Sequence, residues 1–168
     1  MARFLFLQNT VALARSIAEP PPGTAIRVID QYAFRPEDLA DVAGVLFCQH
    51  LDERHLGERR AVWDAFLSRG GALAVNGPFA RPFLSALAPY RPSGDGSAAG
   101  WMLELAEAHP ITAGVAAKDL SYRRGVVGFW ARGGSTPPNG ARVLTRFVAT
   151  GGVADWAWVA PGGGRLFV

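Results

Sequence analysis

Apolar residues fall into short runs broken by turn formers, with one longer stretch at helical spacing. Arg3 to Gln8 is a short apolar run stopped by Asn9 and Thr10. Ala25 to Asp30 is a second run, bearing Val28 and Ile29, after the turn from Glu19 to Gly23. Both read as strands. Gly44 to Cys48 and Ala72 to Val75 are wholly apolar, the composition of strands buried on both faces of a parallel sheet. From Asp52 to Arg69, Leu56, Val62, Trp63, Phe66 and Leu67 recur at helical spacing, with Asp52 placed to cap the start and Gly70-Gly71 the end. Arg35 to Asp38 opens a short helix, because proline suits a first turn and acids favour that end. Phe79 to Leu87 reads as a further helix and Pro89 to Gly100 as a flexible loop.

Strands alternating with helices at this spacing imply right-handed crossovers and a parallel sheet covered by helices. The expected fold is α/β: a flavodoxin-like, doubly wound, mostly parallel sheet with helices on both faces. Beyond Trp101 the pattern changes. Trp101 to Leu105, Gly125 to Trp130, Ala141 to Val148, Val153 to Val159 and Arg165 to Val168 read as strands. Thr136 to Gly140, Thr150 to Gly152 and Pro161 to Gly164 read as hairpin turns. The C-terminal part is therefore expected to be β-rich and partly antiparallel. With no internal repeat and no linker, residues 1 to 168 read as a single domain.

Composition narrows the function classes. The 168 residues are 49% hydrophobic and 18% charged, too apolar for a disordered chain. No apolar run approaches the roughly 20 residues needed to cross a bilayer, so no membrane partner is expected. Phe4 to Leu7 is too short for a signal-peptide core, and the single cysteine, Cys48, fits a reducing, cytoplasmic address. The net charge is +3, yet the arginines are scattered, only Arg59-Arg60 and Arg123-Arg124 are adjacent, and no aromatic-basic repeat accompanies them. Nucleic acid is not an expected partner. Exposed sheet edges and five tryptophans make a homodimer an expectation.

A strand at Gly44 to Phe47, an amphipathic helix, the segment Phe66 to Val75, His109-Pro110-Ile111 with Gly114, and Gly163 to Phe167 follow one another in an order that resembles the class I glutamine amidotransferase-like superfamily. The nearest resemblance is to its trehalose-utilisation branch. It covers residues 40 to 168, and its motifs are architectural more than catalytic. Glutaminase members of the superfamily carry a nucleophilic cysteine in the sharp turn after the strand that here is Ala72 to Val75. This chain has Asn76-Gly77-Pro78 there, and an amide cannot attack a carbonyl. The resemblance thus implies the fold and a small polar metabolite, such as a carbohydrate, without the glutaminase chemistry. The family's partner His and Glu cannot be placed before Val168.

In open α/β sheets ligands bind beyond the carboxyl ends of the strands, where strand order reverses. Those ends supply Gln8 and Asn9, then Cys48, Gln49 and His50, then Asn76 and Gly77. Cys48 and His50 lie two residues apart, and would share a face if the strand continued, giving a thiol nucleophile with an imidazole base. The other reading of Cys48 is a small buried hydrophobe ending an apolar strand. His50, Asp52 and His55 suit zinc or iron by type, but Asp52 is explained as a helix cap and His55 as a solvent-facing residue, so no metal is expected. His109 is a candidate to reach the cleft as acid, base or donor, against a structural turn. Trp156 and Trp158 share a strand face and suit either ring stacking or a core. Gly162 to Gly164 lacks the lysine and the helix of a phosphate loop, and no cofactor is expected. Three functions stay open: a metabolite-binding domain, a non-catalytic scaffold, and a cysteine-dependent hydrolase using Cys48 and His50.

Overall fold

The structure is a computed structural model and describes residues 1–9, 15–93 and 96–168. Along the chain run β1 (Ala2–Gln8), α1 (Arg15–Ala18), β2 (Thr24–Asp30), β3 (Gly44–Phe47), α2 (Glu53–Gly57), α3 (Arg60–Ser68), β4 (Ala72–Val75), β5 (Arg91–Pro92), β6 (Leu103–Leu105), α4 (Ala117–Ser121), β7 (Tyr122–Arg123), β8 (Val126–Val127), β9 (Gly133–Gly134), β10 (Arg142–Phe147), β11 (Val153–Val159) and β12 (Arg165–Phe167). These elements form an α/β chain of two compact units, Met1–Ser85 with Val159–Phe167, and Ala86–Trp158 with Val168.

In the first unit five strands lie side by side in the order β2-β1-β3-β4-β12, every pair parallel. Leu5, Leu7, Val45, Phe47, Leu73 and Leu166 share one face by the alternation of strand side chains, and each is buried. Leu56 of α2 and Trp63 and Phe66 of α3 close over that face. Trp63 stacks on Phe34 at 4.4 Å and meets Phe47 edge-on at 5.2 Å. Burial of about 1.5–3 kcal/mol per large side chain makes this the main stabilising layer. On the opposite face Phe4, Ile26, Leu46, Ala74 and Phe167 line an open apolar cavity of about 240 Å³ whose walls are strand residues.

The long helix expected from Asp52 to Arg69 is two helices, divided at Glu58–Arg59. Arg59 leaves helical geometry, and its guanidinium turns back to His55. Gly70, at φ +97°, ends α3 as the glycine pair implied. Arg35 to Leu39 forms a 3-10 turn over Pro36–Leu39, with acids in its first turn as expected. Phe79 to Leu87 is irregular rather than helical. Pro82 removes a backbone donor, and side chains capture the local amides instead. Glu53 accepts from Ala80 N and Arg81 N, and Asp64 accepts from Ser85 N. Gly162 and Gly164 sit against the end of α3. A Cβ on either would fall 1.8 Å from the Ser68 or Leu67 carbonyl oxygen, so this glycine run serves packing.

In the second unit β11, β10 and β6 are antiparallel, and β10 and β11 form a hairpin through Thr150 to Gly152 as read from sequence. Leu103, Leu120, Phe147 and Ala154 make its core. Thr136 to Gly140 is not a hairpin turn, since β9 pairs with β5. The expected strand from Gly125 to Trp130 shrinks to β8, which pairs only with β7. Within Pro89 to Gly100, expected as loop, Arg91–Pro92 forms β5, and residues 94 and 95 lie outside the described residues.

Candidate functional site

The chain runs from β1 to β2 on one side, then returns to place β3 on the other side of β1, so strand order reverses between β1 and β3. At such a switch point the connections leave in opposite directions and open a crevice beyond the strand ends. Parallel hydrogen bonding continues past the strands here. Gln31 N donates to Gln8 O at 2.9 Å, Cys48 N to Leu7 O at 3.1 Å and Asn76 N to Phe47 O at 3.3 Å. The ends of β1, β3 and β4 are thus stitched together, and Asn9, Cys48, Gln49, His50, Asn76 and Gly77 gather around one mouth.

Asn9 organises it. Its amide nitrogen donates to the His50 main-chain carbonyl, and its Oδ1 lies 3.7 Å from Cys48 Sγ. The thiol also lies 3.2 Å from its neighbour's carbonyl, Gln49 O. Burial pushes the Cys48 thiol above its ordinary pKa, against the lowering effect of the backbone amides of Asn9 and of Cys48 itself. His50 has φ +61°, which takes it out of strand geometry, so the shared-face argument for Cys48 and His50 does not hold. Among the described residues no hydrogen bond joins the two side chains.

Gly77, at φ +107°, passes so close to Gln49 that a Cβ would sit 2.9 Å from Gln49 Cγ. Only glycine permits that approach, which brings the β4 turn against the β3 turn. Gln49, His50 and Asn76 are exposed at the rim. Beneath them, between Cys48, Glu53, Asn76 and Phe79, lies a cavity of about 20 Å³, room for about one water. At the end of β1, Gln8 Oε1 is buried and, among the described residues, accepts no hydrogen bond.

Glu53 and Gln31 were not legible as site residues. The Glu53 carboxylate takes Ala80 N at 3.0 Å and Arg81 N at 2.7 Å, and so fixes the loop that follows Asn76-Gly77-Pro78. Gln31 is buried, and its Oε1 accepts from Asp52 N at 2.6 Å. An acid at the first position of a helix was the only sequence signal for Glu53.

Asp52 caps α2 as expected, accepting from Arg54 N and His55 N. The His55 amide, then the Tyr32 hydroxyl at 3.0 Å, hold its carboxyl below the usual range. His55 does not face water as expected. Its Nε2 lies 3.2 Å from Gln31 O and its Nδ1 3.2 Å from Arg59 Nη1. Arginine only donates, so Nδ1 accepts and Nε2 carries the proton, which leaves neither nitrogen for a metal. Among the described residues no group of three or more His, Cys, Asp or Glu side chains is placed to hold a metal ion.

His109 lies in the second unit, where its Nδ1 accepts from Ile111 N at 3.2 Å and caps the turn Pro110–Thr112. Trp156 is fully buried, with its indole N–H on Ser135 Oγ, and the Trp158 N–H donates to Asn139 O. No helix among the described residues is long and apolar enough to cross a membrane.

No family model, no curated protein and no solved structure matches this chain.

Proposed function

We propose that the chain is an amidotransferase-like, flavodoxin-type domain that binds a small polar metabolite at the carboxyl ends of β1, β3 and β4 and does not hydrolyse glutamine. The observation that carries this reading is the crevice at the β1/β3 reversal, rimmed by the exposed amides of Gln49 and Asn76 and by His50. Amides and imidazole offer both donors and acceptors and no fixed charge, a set suited to hydroxyl groups, hence to a neutral polyol or sugar. The small cavity under the rim has room for about one water and not for a sugar ring, so the ligand lies across the mouth.

Two features support the loss of glutaminase chemistry. Asn76 stands at the turn where the resembled enzymes carry sulfur, and the one thiol, Cys48, is raised in pKa by burial with no imidazole bonded to it. A thiol held protonated is a weak nucleophile. These same features count against the Cys48–His50 hydrolase. The test is saturation-transfer NMR with trehalose, glucose and glycerol on the wild type and on Asn76→Ala, alongside an ammonia assay with glutamine. The proposal expects saturation transfer to at least one of the three, weakened up to about tenfold by the loss of one amide. It expects no ammonia. Equal binding by the variant, binding to none of the three, or ammonia release abolished by Cys48→Ala overturns it.

A further inference from the structure

We propose that the hairpin from Tyr122 to Trp130 is a docking surface for an acidic segment of a partner protein. Tyr122, Val126, Phe129 and Trp130 are 45% to 52% exposed within nine residues, a density that single scattered surface apolar residues do not reach, and the register sets Val126 beside Arg123 on one face of the ribbon and Tyr122 on the other.

The hairpin is ordered by its own bonds. Tyr122 pairs with Val127 and Arg123 with Val126, Gly128 N donates to Ser121 O, and Trp130 N donates to Leu120 O. The Trp130 indole N–H is fixed on Asp155 at 2.9 Å, and the Arg123 guanidinium lies 5.0 Å from the centre of the Phe129 ring. Side chains held in place before binding lose little entropy on binding.

Charge selects the partner. Between Asp119 and Asp155 the chain carries Arg123, Arg124, Arg132, Arg142 and Arg146 and no carboxylate. Arg142 is neutralised by Glu107, whereas Arg123 and Arg124 form no ion pair among the described residues. A second copy of this chain would set arginine against arginine, so the complementary occupant is acidic. Arg124 has φ +49° and Gly125 φ +80°, the two positive values of a type I′ turn. That turn favours Asn-Gly, so a guanidinium stands at the tip where a cheaper residue would fit.

Residue types select polypeptide over nucleic acid or bilayer. Tyr, Trp, Phe and Arg without Lys, Asp or Glu is the composition of protein interface centres. Arg123 already occupies one face of Phe129, which removes a stacking platform for bases. The charged tip precedes the apolar side chains, the wrong order for insertion among acyl chains.

A peptide-display selection against the full chain tests this, with Arg124→Asn and Tyr122→Ser as counter-targets and an oligothymidylate and phosphatidylserine vesicles as competitors. Arg124→Asn suits the positive φ and is expected to keep or raise the thermal midpoint, so loss of binding cannot be loss of fold. The expected outcome is peptides rich in Asp and Glu beside apolar residues, bound about tenfold more weakly by each variant. Neutral or basic peptides, peptides indifferent to both variants, no recovered peptide, or displacement by the oligonucleotide or vesicles overturns the proposal.

Discussion

The Asn9 side chain donates its amide to the main-chain carbonyl of His50, tying the end of β1 to the end of β3 at the point where strand order reverses. Asn9→Ala removes that donor from a carbonyl belonging to a residue at positive φ. We expect a loss of about 1 kcal/mol. Denaturant unfolding checks this as a lower midpoint with an unchanged m-value.

Cys48 is a thiol that burial holds protonated. Labelling with a thiol reagent is expected to be slow near pH 7 and to accelerate only above the ordinary thiol range of about 8.5. The sign for stability follows. A group whose folded pKa is raised contributes fully below its unfolded value and loses that contribution as pH climbs through the folded one. Wild type should therefore weaken relative to Cys48→Ala at alkaline pH. Rapid labelling at pH 7 indicates an activated thiolate and removes this account of the site.

Much of the first unit was legible. Gly44 to Phe47 and Ala72 to Val75 are wholly apolar because they are interior strands, and Asp52 and Gly70 mark helix ends by backbone chemistry that is local. What failed was decided by distant partners. Phe79 to Leu87 has helical spacing, but Glu53 and Asp64, from other elements, take its amides. At the site, the strand ends were placed by periodicity, yet the Cys48–His50 pair assumed that the strand continues. A single dihedral at His50 breaks that assumption, and no residue type announces it. The reach of Glu53 into the β4 loop spans 27 residues and leaves no local trace.

Glu53 carries a prediction of its own. Its two carboxylate oxygens accept from Ala80 N and Arg81 N, so Glu53→Ala frees both amides and loosens the loop behind Asn76. Hydrogen exchange should quicken selectively at Ala80 and Arg81, with a stability loss of about 1.5–3 kcal/mol for hydrogen bonds to a charged group. Unchanged exchange at both amides contradicts the anchoring role.

Asp155, in the second unit, is largely buried, and burial raises its pKa against the lowering effect of Thr145 and Trp130, which donate to its Oδ2. A raised folded pKa contributes stability below the ordinary value of about 3.9 and loses it as pH rises through the folded value. Wild type should therefore lose ground to Asp155→Asn as pH rises above about 4. Paired thermal melts across that range check the sign, and a pH-independent difference contradicts it.

Amide NMR during a screen of small polar fragments, such as sugars, polyols and carboxamides, tests the binding mouth most directly. The account predicts that hits move the backbone and side-chain resonances of Asn9, Gln49, His50 and Asn76 together. Hits that leave these four still while shifting other residues, or a screen without hits, contradict it.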